Sequence, residues 1–223
     1  VWRLGPHRLV CGDALDPGVV AALMDGRQAR MVFTDPPYNA INRASGGLRS
    51  FDKGVADSAP VDVGSFAEEF VRVSRGSVYV WCSDEQYTAW TLAFKSRGLT
   101  TRICAWWKTN PSPMNGTRLW LSALELCVFA RKPGAYFAKH CAHPVWKGPV
   151  ARVKGHPTPK PVWLMREAVL ASVPETGVVL DPFMGSGTTG VASATEGRSF
   201  IGVDQELSYV ELARHRIAEI RGG

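Results

Sequence analysis

Val178-Val179-Leu180-Asp181-Pro182-Phe183-Met184-Gly185-Ser186-Gly187-Thr188-Thr189-Gly190 carries the reading of the fold. Three apolar residues and an aspartate form a short strand, and glycines spaced G-x-G-x-x-G turn it into a helix. Glycine permits the tight turn and lets the backbone approach a ligand closely. The next strand, Ser199–Asp204, ends on a carboxylate where a dinucleotide fold holds ribose hydroxyls. This loop alone fits a dinucleotide, another cofactor, or an ordinary strand-to-helix turn. Its position is more informative. A dinucleotide fold opens with its glycine loop, whereas here only 33 residues (223 − 190) follow Gly190. The other strands must come from upstream sequence, so the order is permuted.

Outward from that loop, short β-branched runs alternate with amphipathic stretches. Strands are expected at Arg8–Gly12, Arg30–Thr34, Ser77–Cys82, Thr100–Trp107, Ala123–Ala130, Gly177–Asp181 and Ser199–Asp204. Helices are expected at Pro17–Asp25, Gly64–Ser74, Glu85–Ser96, Pro161–Ser172, Thr188–Glu196 and Ser208–Arg221. The alternation predicts an α/β fold on a mostly parallel sheet. Thr100–Trp107 and Ala123–Ala130 are joined without a helix, so one of them should run antiparallel. Asn39–Pro60, rich in Gly, Ser and Arg, reads as a long loop. Residues 132–155 show no clear period and are the one candidate for a second module.

A second motif, Asp35-Pro36-Pro37-Tyr38, follows the strand Met31-Val32-Phe33-Thr34. It therefore lies at a carboxyl end, where open α/β sheets bind ligands. Two prolines hold a rigid, extended turn that donates no backbone hydrogen bond. They present the Asp35 carboxylate and the Tyr38 ring on one side of a shallow pocket. A nucleobase amino group is a poor nucleophile because its lone pair is conjugated with the ring. A carboxylate and a backbone carbonyl accepting its two N–H bonds would draw it toward a tetrahedral geometry. A stacked aromatic ring would hold the base outside the duplex.

Asp35-Pro36-Pro37-Tyr38 together with Asp181-Pro182-Phe183-Met184-Gly185-Ser186-Gly187-Thr188-Thr189 resembles the amino-group DNA methyltransferases. The catalytic motif first and the cofactor motif last resembles their permuted β class. His156-Pro157-Thr158-Pro159-Lys160-Pro161 is similar to that family's cofactor-flanking motif, with Pro159 where Gln is common. The resemblance implies one Rossmann-like, seven-stranded, mostly parallel, circularly permuted methyltransferase domain over residues 1–223. It implies S-adenosyl-L-methionine as cofactor and direct attack by the amino nitrogen of a flipped base. Catalytic roles fall on Asp35, Pro36, Pro37 and Tyr38. Cofactor contacts fall on Asp13, Thr34, Asp35, His156, Thr158, Lys160, Asp181, Pro182, Phe183, Gly185, Ser186, Gly187, Thr188, Thr189 and Asp204. Asp204 would hold the ribose, where this class usually has Glu, and Asp13 would lie near the adenine amino group. Target recognition would fall to about residues 132–155, a short interval for that task. Asp at the first position of the four-residue motif goes mainly with adenine N6, and Ser with cytosine N4. Adenine is therefore the expected target, with cytosine N4, or a catalytically inactive DNA-binding relative, as alternatives. A dinucleotide oxidoreductase leaves Asp35–Tyr38 idle. A protein glutamine methyltransferase would begin the motif with Asn, in the unpermuted order.

Charge points the same way. The chain carries +6 overall, but Lys95–Lys160 holds twelve Lys/Arg against one acid, Glu125. That window is +11 and the remainder −5, a segregation that suits a polyanion such as double-stranded DNA. Trp106, Trp107, Trp120 and Trp146 are interspersed with these charges and read mostly as packing. The five cysteines are odd in number, and four sit in apolar runs, so they read as reduced, in a cytoplasmic protein. His140-Cys141-Ala142-His143 crowds its ligands and lacks a second pair, so no metal is expected. No stretch has the length of a membrane span, and Val1-Trp2-Arg3-Leu4 does not open like a signal peptide. The resemblance also allows a homodimer and a cognate restriction endonuclease as partners.

Overall fold

The computed structural model describes residues 1–14, 16–36, 62–113 and 116–222. In chain order the elements are β1 (Trp2–Leu4), β2 (His7–Cys11), α1 (Pro17–Met24), β3 (Ala29–Thr34), α2 (Val63–Val73), β4 (Ser74–Cys82), α3 (Asp84–Lys95) and β5 (Thr100–Lys108). They continue with β6 (Leu124–Arg131), β7 (Val145–Gly148), α4 (Val162–Ser172), β8 (Val178–Asp181), α5 (Thr188–Thr195), β9 (Ser199–Asp204) and α6 (Leu207–Gly222). One sheet runs β1-β2-β9-β8-β3-β4-β6-β5-β7. Strands β2, β9, β8, β3 and β4 pair parallel, β6 is antiparallel to both β4 and β5, and β1 is antiparallel to β2.

Alternation of side chains across the pleat builds two cores. Met31, Phe33, Tyr79, Trp81 and Phe200 point to one face and pack with residues of α4, α5 and α6. Val32, Val78, Val80, Ile201 and Val203 point to the other and pack with α1, α2 and α3. Because helices cover both faces, the central strands are apolar throughout, as a buried parallel sheet requires. The helices start where local chemistry dictates. Asp16 accepts from the Gly18 N–H ahead of α1, Asp62 accepts from Gly64 and Ser65 ahead of α2, and Ser83 caps α3.

All seven expected strands and all six expected helices are present, and the antiparallel member of the helix-free pair is β6. Two short strands extend the sheet beyond expectation. The three residues of β1 are too few to show a period. The four of β7 lie inside 132–155, between Pro144 and Pro149, and pair parallel with β5 from Ala105↔Val145 to Lys108↔Gly148. Residues 132–155 also lean on the body: Lys132 donates to the Val71 and Ser74 carbonyls, and Phe137 packs against Phe129. Cys82, Cys104 and Cys127 are buried, Cys11 is half-buried and Cys141 is exposed, and each is a free thiol. Among the described residues no helix is long and apolar enough to cross a membrane.

Candidate functional site

Adjacent parallel strands bring the two motifs together. In the register Met31↔Val179 and Val32↔Leu180, Asp35 leaves β3 beside the turn that follows Asp181 on β8. Asp204 ends β9 on the other side of β8, and Cys11 of β2 pairs with Asp204, which sets the exposed Asp13 just beyond. Four carboxylates thus stand at four neighbouring strand ends on one edge of the sheet. Pro37, Tyr38 and the Asn39–Pro60 loop lie outside the described residues.

The glycine loop is tied to two of these carboxylates. Asp181 is buried; its oxygens accept from the Phe183 N–H at 3.1 Å and the Thr189 hydroxyl at 2.6 Å. Burial pushes its carboxyl pKa up to about 7, against the pull of those two donors. Asp204 accepts from the Gly185 N–H at 2.8 Å and from the Glu206 N–H at 2.9 Å, and burial raises its pKa too. Gly185 and Gly187 have φ of +48° and +75°, and a Cβ on Gly187 would meet that of Ala213 at 2.5 Å. Only glycine suits these positions. Gly187 opens α5 with no side-chain cap among the described residues, so no side chain takes up the donors of its first turn there. Ser186, Thr188 and Pro182 are buried beneath the loop, while Phe183 stands half-exposed, edge-on to Phe66. Arg216 of α6 donates to the Ser186 carbonyl and to the Thr188 hydroxyl, bracing the loop from below.

The third motif divides between two places. His156 lies over Gly185, whose Cβ would meet its Nε2 at 2.8 Å, and its ring packs on Tyr209 at 4.9 Å. Burial lowers its pKa, so the imidazole is neutral near pH 7, and its buried Nδ1 has no hydrogen-bond partner among the described residues. Thr158 is exposed. Lys160 turns inward, lies 5.3 Å over the Trp81 ring, and forms an ion pair with Asp35. Lys160 also reaches Glu125 at 3.2 Å, and Glu125 reaches Lys108 at 2.6 Å. Burial alone would lower the pKa of Lys160, but Asp35 and Glu125 outweigh it and hold it above the ordinary value. Burial likewise opposes charge on Glu125; the two ammonium groups win, and its pKa lies below the usual range. A chain of alternating charge, Lys108–Glu125–Lys160–Asp35, therefore runs along the edge. Residue-by-residue reading did not foresee Glu125 or Lys108. The one available signal was that Glu125 is the sole acid in the basic window.

The residues fit a cofactor with a cationic sulfonium and a ribose. Carboxylates line the strand ends, the loop offers backbone donors, and the unpartnered Nδ1 of His156 flanks it. Asp204→Ala should weaken S-adenosylmethionine binding by about 1.5–3 kcal/mol, the worth of a charge-assisted acceptor. Because Asp204 also holds the Gly185 and Glu206 amides, Asp204→Asn should recover part of the loss. Calorimetry with unchanged affinity in the alanine variant would remove Asp204 from the site.

A family model described as DNA methylase matches residues 29–215. The chain is 32% identical over 219 residues to the Type II methyltransferase M2.DpnII of Streptococcus pneumoniae, covering 84% of this chain and 81% of that one. Its fold matches the crystal structure of the M1.HpyAVI–SAM complex with a TM-score of 0.76 at 23% identity, over 94% of this chain and 98% of that one. PvuII DNA methyltransferase, described as cytosine-N4-specific, matches with a TM-score of 0.66 at 15% identity, over 96% and 90% of the two chains.

Proposed function

Since the chain belongs to the N6/N4 DNA methylase family, we propose that it methylates N6 of adenine in double-stranded DNA. The methyl donor is S-adenosyl-L-methionine, whose sulfonium supplies an electrophilic methyl carbon. The observation that carries the reading is the placement of Asp35, just past the end of β3, beside the glycine loop that follows β8. A base amino group delivered to Asp35 lies next to the cofactor cradle, the geometry that in-line transfer needs. Asp35 receives an N–H of the amino group and draws its lone pair out of conjugation, while Lys160 steadies the carboxylate. The role of Tyr38 in this reading is to stack on the extruded base, and that of Pro36 and Pro37 is to limit the backbone freedom between it and Asp35. No strong general base is required, because the proton leaves after the nitrogen has become cationic. Adenine is favoured by the Asp that opens the four-residue motif. Digestion of methylated DNA and mass spectrometry should find N6-methyladenine; N4-methylcytosine alone would reassign the target base.

In this reading residues 1–223 act as one methyltransferase domain, with about 132–155 as a short recognition segment. The chain works in the cytoplasm, where its DNA is. A restriction endonuclease of the same specificity is the partner that the Type II relative suggests.

The structure sorts the basic window into two sets. Arg97, Lys108, Arg131, Lys132, Lys139 and Lys160 are engaged within the protein. Lys95, Arg102, Arg118, Lys147, Arg152 and Lys154 are exposed. Lys139 pairs with Glu167, which removes it from the set expected to meet phosphates. Neutralising Lys147, Arg152 and Lys154 together should flatten the log–log salt dependence of DNA affinity by about 2–3, close to 0.9 per lost phosphate contact. Lys139→Gln should leave that slope alone. A triple variant with the original slope would show that DNA enters elsewhere.

A further inference from the structure

Trp120 is 99% exposed, and Leu119 and Leu121 beside it are 67% and 44% exposed. Together with Leu124 (59%) and Trp107 (47%) they form an apolar ridge where β5 passes into β6. Exposure of so many large apolar side chains in one short segment marks a contact surface. The ridge is held in place: Lys108 N–H donates to the Ala123 carbonyl at 2.8 Å, and Ala123 N–H to Leu121 at 2.7 Å. Gly116 packs so closely on Leu121 that a Cβ there would come within 2.9 Å of its Cδ2. Lys108 Nζ lies 3.5 Å from the Ser122 carbonyl at the foot of the ridge, and from Lys108 three ion pairs lead to Asp35. Ridge and reaction centre therefore share one edge of the sheet.

Charge decides what covers the ridge. Arg118 precedes it, Lys147 lies 4.5 Å over the Trp107 ring, and both belong to the basic stretch Lys95–Lys160. The only carboxylate in that stretch, Glu125, is consumed between two lysines. A second copy of this face would set cations against cations, which is repulsive. The surface suits a polyanion that also offers flat, stackable faces.

We propose that Trp120 is a wedge that enters the DNA duplex and stacks where the target base has left it. The inference rests on the proposed DNA methylation, since it needs an extruded base. Removing a base from the stack costs unpairing and unstacking energy. An aromatic ring inserted from the rim that receives the base restores one stacking contact and holds the helix open.

The test compares Trp120→Ala and Trp120→Phe with the wild-type chain on unmethylated plasmid DNA, with tritiated S-adenosylmethionine. Trp120→Ala should lose about tenfold or more in methyl transfer, the size of one lost base–aromatic stack. Trp120→Phe should stay within about threefold. The drop in tryptophan emission on adding duplex DNA should be largely missing from Trp120→Phe. Both variants should melt like the wild type, as an exposed side chain predicts. Unchanged transfer and unchanged quenching would overturn the wedge. So would a Trp120→Ala chain that only loses self-association, or binding to anionic vesicles, with DNA affinity intact. A wild-type chain that transfers no methyl to any DNA would sink the methylation reading instead, and the emission change would still judge the ridge.

Discussion

Asp35→Ala should reduce methyl transfer by about a thousandfold while cofactor affinity stays within a few fold. Removing one preorganised polar contact to a reacting group costs about 10²–10³ in rate, and here the lost group also orients the nucleophile. Cofactor binding should survive because the glycine loop is held by Asp181, Asp204 and Arg216, none of which Asp35 supports. The fold should survive as well, since Lys160 keeps Glu125 as a counter-charge. Asp35→Asn refines the test. It retains a carbonyl oxygen for the base but loses the ionic hold of Lys160, so its activity should lie between the alanine variant and the wild type. Single-turnover transfer of tritiated methyl groups and calorimetry with S-adenosylmethionine separate the two effects. Loss of cofactor binding as the principal defect would make the cofactor, and not the base amino group, the main partner of Asp35.

The elements most legible in the sequence are those whose signals are local. The helices α1, α2 and α3 were expected from their amphipathic runs, and the structure starts each at a local cap, Asp16, Asp62 or Ser83. The loop from Asp181 to Thr189 shows its glycines at positions with positive φ or close packing. What was not legible is long-range. Asp35, Lys108, Glu125 and Lys160 come from four separate segments, and nothing in any one of them says that their side chains meet. A charge count cannot see pairing, for the same reason. Twelve cations in the window are a fact of composition, but seven of them satisfy carbonyls or carboxylates of the protein itself. Strand β7 was hidden because its four residues stand between prolines and gain their order from the edge of β5. Trp120 was read with its neighbours as packing, and a period cannot distinguish a tryptophan that fills a core, as Trp106 does, from one that faces water.

Lys160→Met should be the most destabilising single change at the site, lowering stability by about 3–5 kcal/mol. The ammonium is buried against Asp35 and Glu125, and its removal leaves Glu125 in low dielectric with Lys108 as its remaining ion-pair partner among the described residues. A methionine fills similar volume over the Trp81 ring, so the loss reports charge more than packing. The sign with pH follows. The folded pKa of Glu125 is depressed, so in the wild type its pairing contributes stability above the ordinary carboxylate range, lost as pH falls through the folded value. In Lys160→Met that contribution shrinks, and the acid limb of the melting curve should flatten. Adding Glu125→Gln to Lys160→Met should restore part of the stability, because the buried carboxylate that lost one of its counter-charges is then gone. Methyl transfer should not return with it, since Asp35 still lacks the group that fixes its orientation. Denaturant melts of the two single variants and the double variant give the coupling between the residues. Additive losses with no recovery in the double variant would mean that Lys160 and Glu125 do not act on one another, and the charge chain would lose its role in holding Asp35.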